Sequence, residues 1–160
     1  MKTKLLSILF LAVLGFAFKY DKPAYILYDS EGKEVKYEGM ITDFLSTDMV
    51  FFGELHTDPI SHWLEYEITK DLYEGKKEKL VIGAEMFEAD NQVILDEYLR
   101  GFFEDKKFEA DARLWGNYKT DYKPIVEFAK ENNIYFVASN IPRRYASVVF
   151  KLGLEALDSL

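Results

Sequence analysis

The chain has 160 residues, and its 20 lysines and arginines stand against 28 aspartates and glutamates, which gives a formal net charge of −8. An acidic chain lacks the excess positive field that attracts phosphates, which argues against a general nucleic-acid binder. Hydrophobic residues form 49% of the chain, enough to bury the core of one domain. Because the chain has no cysteine, disulfides, thiolate metal sites and a cysteine nucleophile are excluded.

The first residues are typical of an export signal. Two lysines precede an apolar run from Leu5 to Phe18, which is short for a membrane span. The small residue Ala17 predicts cleavage directly after it, so we expect a signal peptide at 1–17 and a single domain at 18–160. An uncleaved anchor or a buried first helix is the alternative interpretation.

Strand signals recur along the rest of the chain. A β-hairpin is predicted from Ala24–Tyr28 and Glu34–Tyr37, which flank a turn that contains Gly32. Short apolar runs predict three further strands, at Met49–Phe52, Lys79–Ala84 and Ile134–Ala138.

Helices are predicted from capping residues and apolar spacing. Asp58 and Pro59 are a typical N-cap and first residue for a helix that reaches Glu74 and stops at Gly75. The apolar stripe of this helix repeats at every fourth residue, so His62, which lies off the stripe, is expected to project away from the core. Later helices are predicted at Asn91–Arg100, with Asp90 as the cap, at Asp121–Asn132 and at Pro142–Leu152, and a charged, aromatic loop through Trp115 is expected before Asp121.

The alternation of strands and helices predicts an α/β fold with a mostly parallel sheet, helices on both faces and a preceding β-hairpin. In such sheets, ligands bind beyond the carboxyl ends of the strands. Polar residues follow each of the three predicted strands at that edge: Glu54 and His56 after the first, Glu85 and Glu88 after the second, and Ser139, Asn140, Arg143 and Arg144 after the third.

Each of these residues has a functional and a structural interpretation. Glu54 and His56 are two apart, so on an extended segment they face the same side and can share a proton or a metal, or simply hold the loop. Glu85 is a possible general base or metal ligand, or a turn cap. Arg143 and Arg144 oppose the dipole at a helix start, which suggests an anionic partner unless both are solvated. The 11 tyrosines and 13 phenylalanines permit a planar apolar ligand face, although most are expected in the core.

Four motifs occur in order along the chain: VFFGELH at 50–56, VIGAEMFE at 81–88, WGNYKTDYKPIVEFA at 115–129 and VASNIPRRY at 137–145. Together with His62, they make the chain from Met49 to Leu160 resemble the ChaN-type haem-binding uptake family. That family is similar in turn to the superfamily of the TIKI proteases and the erythromycin esterase-like hydrolases.

The resemblance implies an exported α/β protein of haem or iron uptake. Haem is the expected cofactor, held in at least one family member through tyrosine in a dimer with stacked haems, so a homodimer is also expected. Tyr118 and Tyr122 fall in the aromatic motif, and which of them binds iron stays open. The residues expected to bind haem are His62, Tyr118, Tyr122, Asn140, Arg143 and Arg144.

Two departures from the family also lead to expectations. Many relatives are lipoproteins, whereas this chain has no lipid-accepting cysteine. A location in the periplasm or cell envelope without a lipid anchor is therefore expected, with contact to a haem-uptake system. Relatives also continue beyond the helix that ends near Leu152, so an incomplete domain, truncated at its C-terminus, is expected.

The first functional hypothesis is a non-enzymatic haem-binding protein, because tyrosinate is a hard anionic ligand suited to ferric haem. The alternative is a metal-dependent hydrolase in which Glu54, His56 and Glu85 hold a divalent ion that activates water, as the superfamily resemblance implies. A structural or interaction domain, whose polar edge only holds loops, is the third hypothesis.

Overall fold

The computed structural model of the chain describes residues 22–159, and the predicted signal peptide lies outside them. The chain divides into two compact units, one that ends at Tyr37 and one that runs from Glu38 to Leu160. Within the described residues, no helix is long and apolar enough to cross a membrane.

The first unit contains the predicted hairpin. Strand β1 (Leu27–Tyr28) pairs antiparallel with β2 (Glu34–Val35), so the hairpin is confirmed with shorter strands than predicted. Asp29 holds the turn, because its Oδ1 accepts hydrogen bonds from the backbone N–H groups of Glu31 and Lys33 at 3.0 and 2.9 Å. Gly32 has a φ of 79°, a conformation that glycine adopts without strain.

The second unit combines helices with a parallel strand pair. Its strands are β3 (Val81–Glu88) and β4 (Tyr135–Asn140). A π-helical turn at Tyr118–Tyr122 leads directly into one of the helices. The helices are α1 (Tyr37–Leu45), α2 (Pro59–Lys76), α3 (Gln92–Leu99), α4 (Asp105–Asp111), α5 (Lys123–Glu131) and α6 (Arg143–Leu152).

Strands β3 and β4 form the predicted parallel pairing. Their register runs from Val81 opposite Tyr135 through Ala84 opposite Ala138 and then shifts, so that Glu88 lies opposite Asn140. Strand β3 therefore continues four residues beyond its predicted end. Both strands end at the same edge, which places Glu88 and Asn140 side by side where a ligand would meet the sheet.

The prediction of a strand at Met49–Phe52 is wrong: these residues lie in no strand, and Phe51 is 89% exposed. An apolar run becomes a strand only when a neighbouring strand satisfies its backbone hydrogen bonds, and an apolar pattern does not specify that neighbour. Sequence reasoning also missed two short helices, α1 and α4, and α4 lies inside the segment that was interpreted as loop.

Helix α2 begins as predicted and ends later than predicted. The Asp58 side chain accepts a hydrogen bond from the Ile60 N–H at 3.0 Å, which is the expected N-cap. The helix passes through Gly75 and ends at Lys76, and the capping residue Lys77 has a φ of 50°. A Cβ atom on Gly75 would lie 2.4 Å from Leu45 Cδ2, so this glycine allows α1 to approach α2 closely rather than stopping the helix.

The core lies around β3, β4 and the helices α3, α4 and α5. Phe136 and Ala138 of β4 are buried, and their neighbours Tyr135 and Ser139 are exposed, as the alternation of side chains along a strand requires. The residues with no exposed surface are Phe87, Leu95, Tyr98, Val126, Ala129 and Phe136.

Candidate functional site

His62 is buried, with 5% of its surface exposed, so the expectation that it projects away from the interior is wrong. The apolar stripe of α2 marks only one buried face, whereas the first turns of this helix are also covered by residues near Glu54 and by the π-helical turn. The His62 ring lies edge-on to Tyr122 with 4.9 Å between ring centroids. Its Nε2 atom is 3.1 Å from the backbone carbonyl of His56.

Glu54 connects the polar side chains around His62. Its Oε1 accepts a hydrogen bond from the Tyr122 hydroxyl at 2.7 Å and lies 3.0 Å from His56 Nδ1. Its Oε2 lies 2.8 Å from His62 Nδ1. The prediction that Glu54 and His56 face the same side is confirmed, and we call Glu54, His56, His62, Glu65 and Tyr122 the histidine cluster.

Glu65, one turn after His62 on α2, is the member of the histidine cluster that sequence reasoning missed. Its Oε2 lies 3.9 Å from His62 Nδ1. Burial, together with the negative charge of Glu54, raises the pKa of Glu65 from 4.5 to about 7, and His62 only partly opposes this. Glu65 therefore favours its protonated form more than an exposed glutamate does. The spacing of three residues from His62 was the available signal, because such residues neighbour each other on a helix.

Tyr118 and Tyr122 lie at the two ends of the π-helical turn, and both are buried. Tyr122 belongs to the histidine cluster, whereas Tyr118 packs against Phe87 and Phe108 in the core. Among residues 22–159, the Tyr118 hydroxyl has no hydrogen-bond partner. Burial raises the pKa of each phenol, so both are neutral in this structure.

His56 is the exposed histidine of the cluster, with 53% of its side chain accessible. Its ring meets Trp115 edge-on, with 4.9 Å between centroids. Asn117 fixes the adjoining backbone, because its Nδ2 donates to the His56 carbonyl at 2.8 Å and to Asp121 Oδ2 at 2.7 Å. The structure therefore presents an oriented imidazole at the surface, beside the exposed Leu55.

A second group of charges, the arginine cluster, lies at the carboxyl end of β3 and comprises Glu88, Asp90, Arg113, Arg143 and Arg144. The buried Glu88 accepts a hydrogen bond from the backbone N–H of Arg143 at 2.9 Å and one from Arg113 Nη2 at 3.3 Å. Asp90 pairs with both Arg113 and Arg144. These carboxylates explain how α6 tolerates two arginines in its first turn.

The prediction of an N-cap at Asp90 is wrong. Asp90 was predicted to cap the next helix, but the capping position is Asn91, which makes no side-chain cap hydrogen bond. Instead, Asn91 Oδ1 accepts a hydrogen bond from the Arg113 N–H at 3.2 Å. Asp90 does not cap the helix, because its carboxylate forms ion pairs with Arg113 and Arg144 instead.

The remaining predicted residues are only partly brought together. Asn140 is half-buried opposite Glu88 at the end of the strand pair. Glu85 is exposed on β3, and the hydrogen bonds and ion pairs found among residues 22–159 do not join it to Glu54 or His56. Arg143 keeps 80% of its side chain exposed.

The segment 113–117 connects the two clusters, because it carries both Arg113 and the Trp115 that contacts His56.

Comparison with known proteins identifies a protein family by sequence and a similar fold among solved structures. No curated protein matches the chain. A solved structure described as cofacial haem binding to ChaN of Campylobacter jejuni is similar, with a TM-score of 0.63 and 19% sequence identity. The similarity covers 79% of this chain and 52% of that one, so the chain spans about half the length of this neighbour. At this identity the likeness shows the fold.

A family model described as "Haem-binding uptake, Tiki superfamily, ChaN" matches residues 40–160. The matched range includes both the histidine cluster and the arginine cluster. Since it spans well over half of the sequence, the chain belongs to the ChaN family of haem-binding uptake proteins in the Tiki superfamily.

Proposed function

We propose that this chain is an exported, non-enzymatic protein that binds haem during haem or iron uptake. The observation that carries the proposal is the family match over residues 40–160. The fold neighbour, which is described by its cofacial haem binding, supports it further.

Arg143 has the chemistry to hold a haem propionate. Its guanidinium is largely exposed, and its described ion-pair contact is with Glu88 at 3.6 Å. A guanidinium binds a carboxylate through two parallel hydrogen bonds, which gives both energy and orientation. Arg144 is held by Asp90 and contacts Tyr145, so we assign it a supporting role. Asn140, at the end of β4, is a neutral donor at the same edge of the sheet.

Tyr118 and Tyr122 are the proposed iron ligands, and Tyr122 has the better surroundings. Its hydroxyl donates to Glu54, so this carboxylate could take up the phenol proton if Tyr122 held haem iron. Among the described residues, Tyr118 has no such acceptor. The exposed His56 imidazole is another side chain of this region that can ligate iron.

The test is a titration of ferric haem into the purified chain, with the charge-transfer absorption of a tyrosinate complex as the readout. Saturable binding is expected, and Tyr122→Phe should abolish the band because it deletes only the ligating oxygen. Tyr118→Phe is the parallel variant, and Tyr135→Phe, an exposed tyrosine at the other end of β4, is the matched control. Absence of saturable binding by the folded chain overturns the proposal. Binding with the band intact in both ring variants refutes the ligand assignment and leads to His56→Ala.

The location and assembly belong to the same proposal. We expect cleavage after Ala17, location in the periplasm or cell envelope, and a homodimer that hands haem to an uptake system. Mass spectrometry of the protein isolated from the envelope fraction tests the cleavage site, and analytical ultracentrifugation with and without haem tests the dimer. An intact N-terminus or a haem-loaded monomer would contradict the corresponding part.

A further inference from the structure

The two ring nitrogens of His62 have different surroundings. Nε2 lies 3.1 Å from the backbone carbonyl oxygen of His56. A carbonyl oxygen only accepts hydrogen bonds, so the proton belongs on Nε2. In a neutral imidazole, Nδ1 then carries a free lone pair.

That lone pair is directed into the histidine cluster. His62 Nδ1 lies 2.8 Å from Glu54 Oε2, yet among residues 22–159 neither atom has a hydrogen-bond partner of suitable geometry. Both atoms are buried and electron-rich, and at this separation they repel each other unless a positive charge lies between them. Glu65 Oε2 faces the same Nδ1 atom from 3.9 Å.

We propose that Glu54, His62 and Glu65 form a binding site for one divalent transition-metal ion, separate from haem. One ligand atom from each of the three residues lies within 4.8 Å of the others. An imidazole with two carboxylates is a donor set that suits Zn²⁺ or Mn²⁺. For metal–ligand bonds of about 2.1 Å, ligands at a right angle lie about 3 Å apart, close to the distance between Glu54 and His62.

The atoms around His62 and Glu54 match what a metal site requires. A metal-bound histidine usually donates its other ring N–H to a carbonyl or carboxylate, and His62 does so to His56. Glu54 Oε1 is occupied by Tyr122 and His56, which orients the carboxylate and leaves Oε2 free for the ion. His62 and Glu54 are therefore oriented before the ion arrives.

The test is calorimetric titration of Zn²⁺, and separately of Mn²⁺, into the full chain without haem. One ion per chain is expected. His62→Gln and Glu65→Gln should each weaken binding about tenfold or more, because each removes a direct ligand. Glu74→Gln, an exposed glutamate on the same helix, is the matched control. His56→Gln should also keep the ion with at most slightly weaker binding, since the His56 side chain is not a ligand and Tyr122 still holds Glu54 Oε1.

Several results overturn the proposal. One is the absence of saturable binding. Another is loss of binding in His56→Gln with binding kept in His62→Gln, which would move the site to the exposed imidazole. Circular dichroism checks that each variant folds. If His62→Gln does not fold, the nearly isosteric Glu65→Gln tests the proposal in its place. A ¹⁵N spectrum in which His62 carries a proton on Nδ1 under excess Zn²⁺ would also overturn the proposal. It would show that a proton, not a metal ion, lies between His62 and the Glu54 carboxylate.

Discussion

Glu54 uses its two carboxylate oxygens for different purposes. Oε1 accepts the Tyr122 hydroxyl and contacts His56, while Oε2 faces His62. The residue before it and the residue after it, Gly53 and Leu55, are both exposed, so only the side chain of Glu54 turns inward here. A single carboxylate thereby joins a tyrosine from the π-helical turn to a histidine of α2.

The two tyrosines of the π-helical turn should respond in opposite ways to loss of the hydroxyl. Tyr122→Phe removes the hydroxyl donor from Glu54 Oε1 and leaves only the exposed His56 ring at that oxygen, so we expect a loss of about 1–2 kcal/mol in the free energy of unfolding. Tyr118→Phe removes a buried hydroxyl that has no partner, so stability should stay equal or rise. Urea denaturation measures both variants, and equal losses would contradict the hydrogen-bond pattern.

At the scale of elements, the helices around the core are joined by ionic contacts. The Tyr98 hydroxyl of α3 donates to Asp105 of α4 at 2.6 Å, and Lys123 of α5 donates to the other oxygen of Asp105 at 2.8 Å. The hydrogen bonds from Lys123 and Tyr98 lower the pKa of Asp105 from 3.8 to about 2. Asp105 therefore connects three helices through its charged form.

This connection predicts a dependence of stability on acid. A carboxyl whose pKa is lowered by folding stabilises the fold fully above its unfolded pKa and loses that contribution as the pH falls through its folded pKa. The contribution of Asp105 should thus be complete above about pH 4 and fade toward about pH 2. In thermal unfolding, the melting temperature of Asp105→Asn should differ less from that of the natural chain at pH 2 than at pH 6. A constant difference would refute the assignment.

The approach of α1 to α2 gives a second prediction at this scale. Gly39, in α1, has open space around it, so Gly39→Ala should raise the free energy of unfolding by about 0.5–1 kcal/mol through helix propensity. Gly75→Ala should gain less, because the new methyl group forces Leu45 to change rotamer at a cost of about 0.5–1.5 kcal/mol. Chemical denaturation measures the free energy of unfolding of both variants. An equal increase in the two would contradict the close contact between Gly75 and Leu45.

The sequence predicted those elements whose signals are local. The N-cap at Asp58 and the parallel strands β3 and β4 are marked by residue type and apolar runs. They occur at the predicted places, although both strands run beyond their predicted ends. The segment Met49–Phe52 carries the same apolar signal, but its structure depends on pairing, which no local pattern encodes. The site divides in the same way: Glu54 and His56 are neighbours in sequence, whereas Asp90 meets Arg144 only through the fold.

At the scale of the whole molecule, the proposed signal peptide separates export from folding. Residues 1–17 carry two lysines and no acid, so their removal would leave 18 basic against 28 acidic residues, a change from −8 to −10. We expect a chain that begins at Phe18 to unfold at the same temperature as the full chain, since a signal peptide contributes nothing to a mature core. Differential scanning calorimetry tests this, and a lost transition would make Leu5–Ala17 structural.

The contacts that build the two clusters join distant parts of the chain. Glu88 and the N–H of Arg143 are 55 residues apart in sequence, and Glu54 and Tyr122 are 68 apart. Loop closure of this length costs entropy that is recovered only once both ends are held, so such contacts form late in folding. Helices α3 to α5 can assemble first from shorter loops, and a chain still in the process of folding would then hold these helices together without yet offering a place for ligand. The ligand would accordingly select only chains that have completed folding and stabilise them in proportion to its concentration.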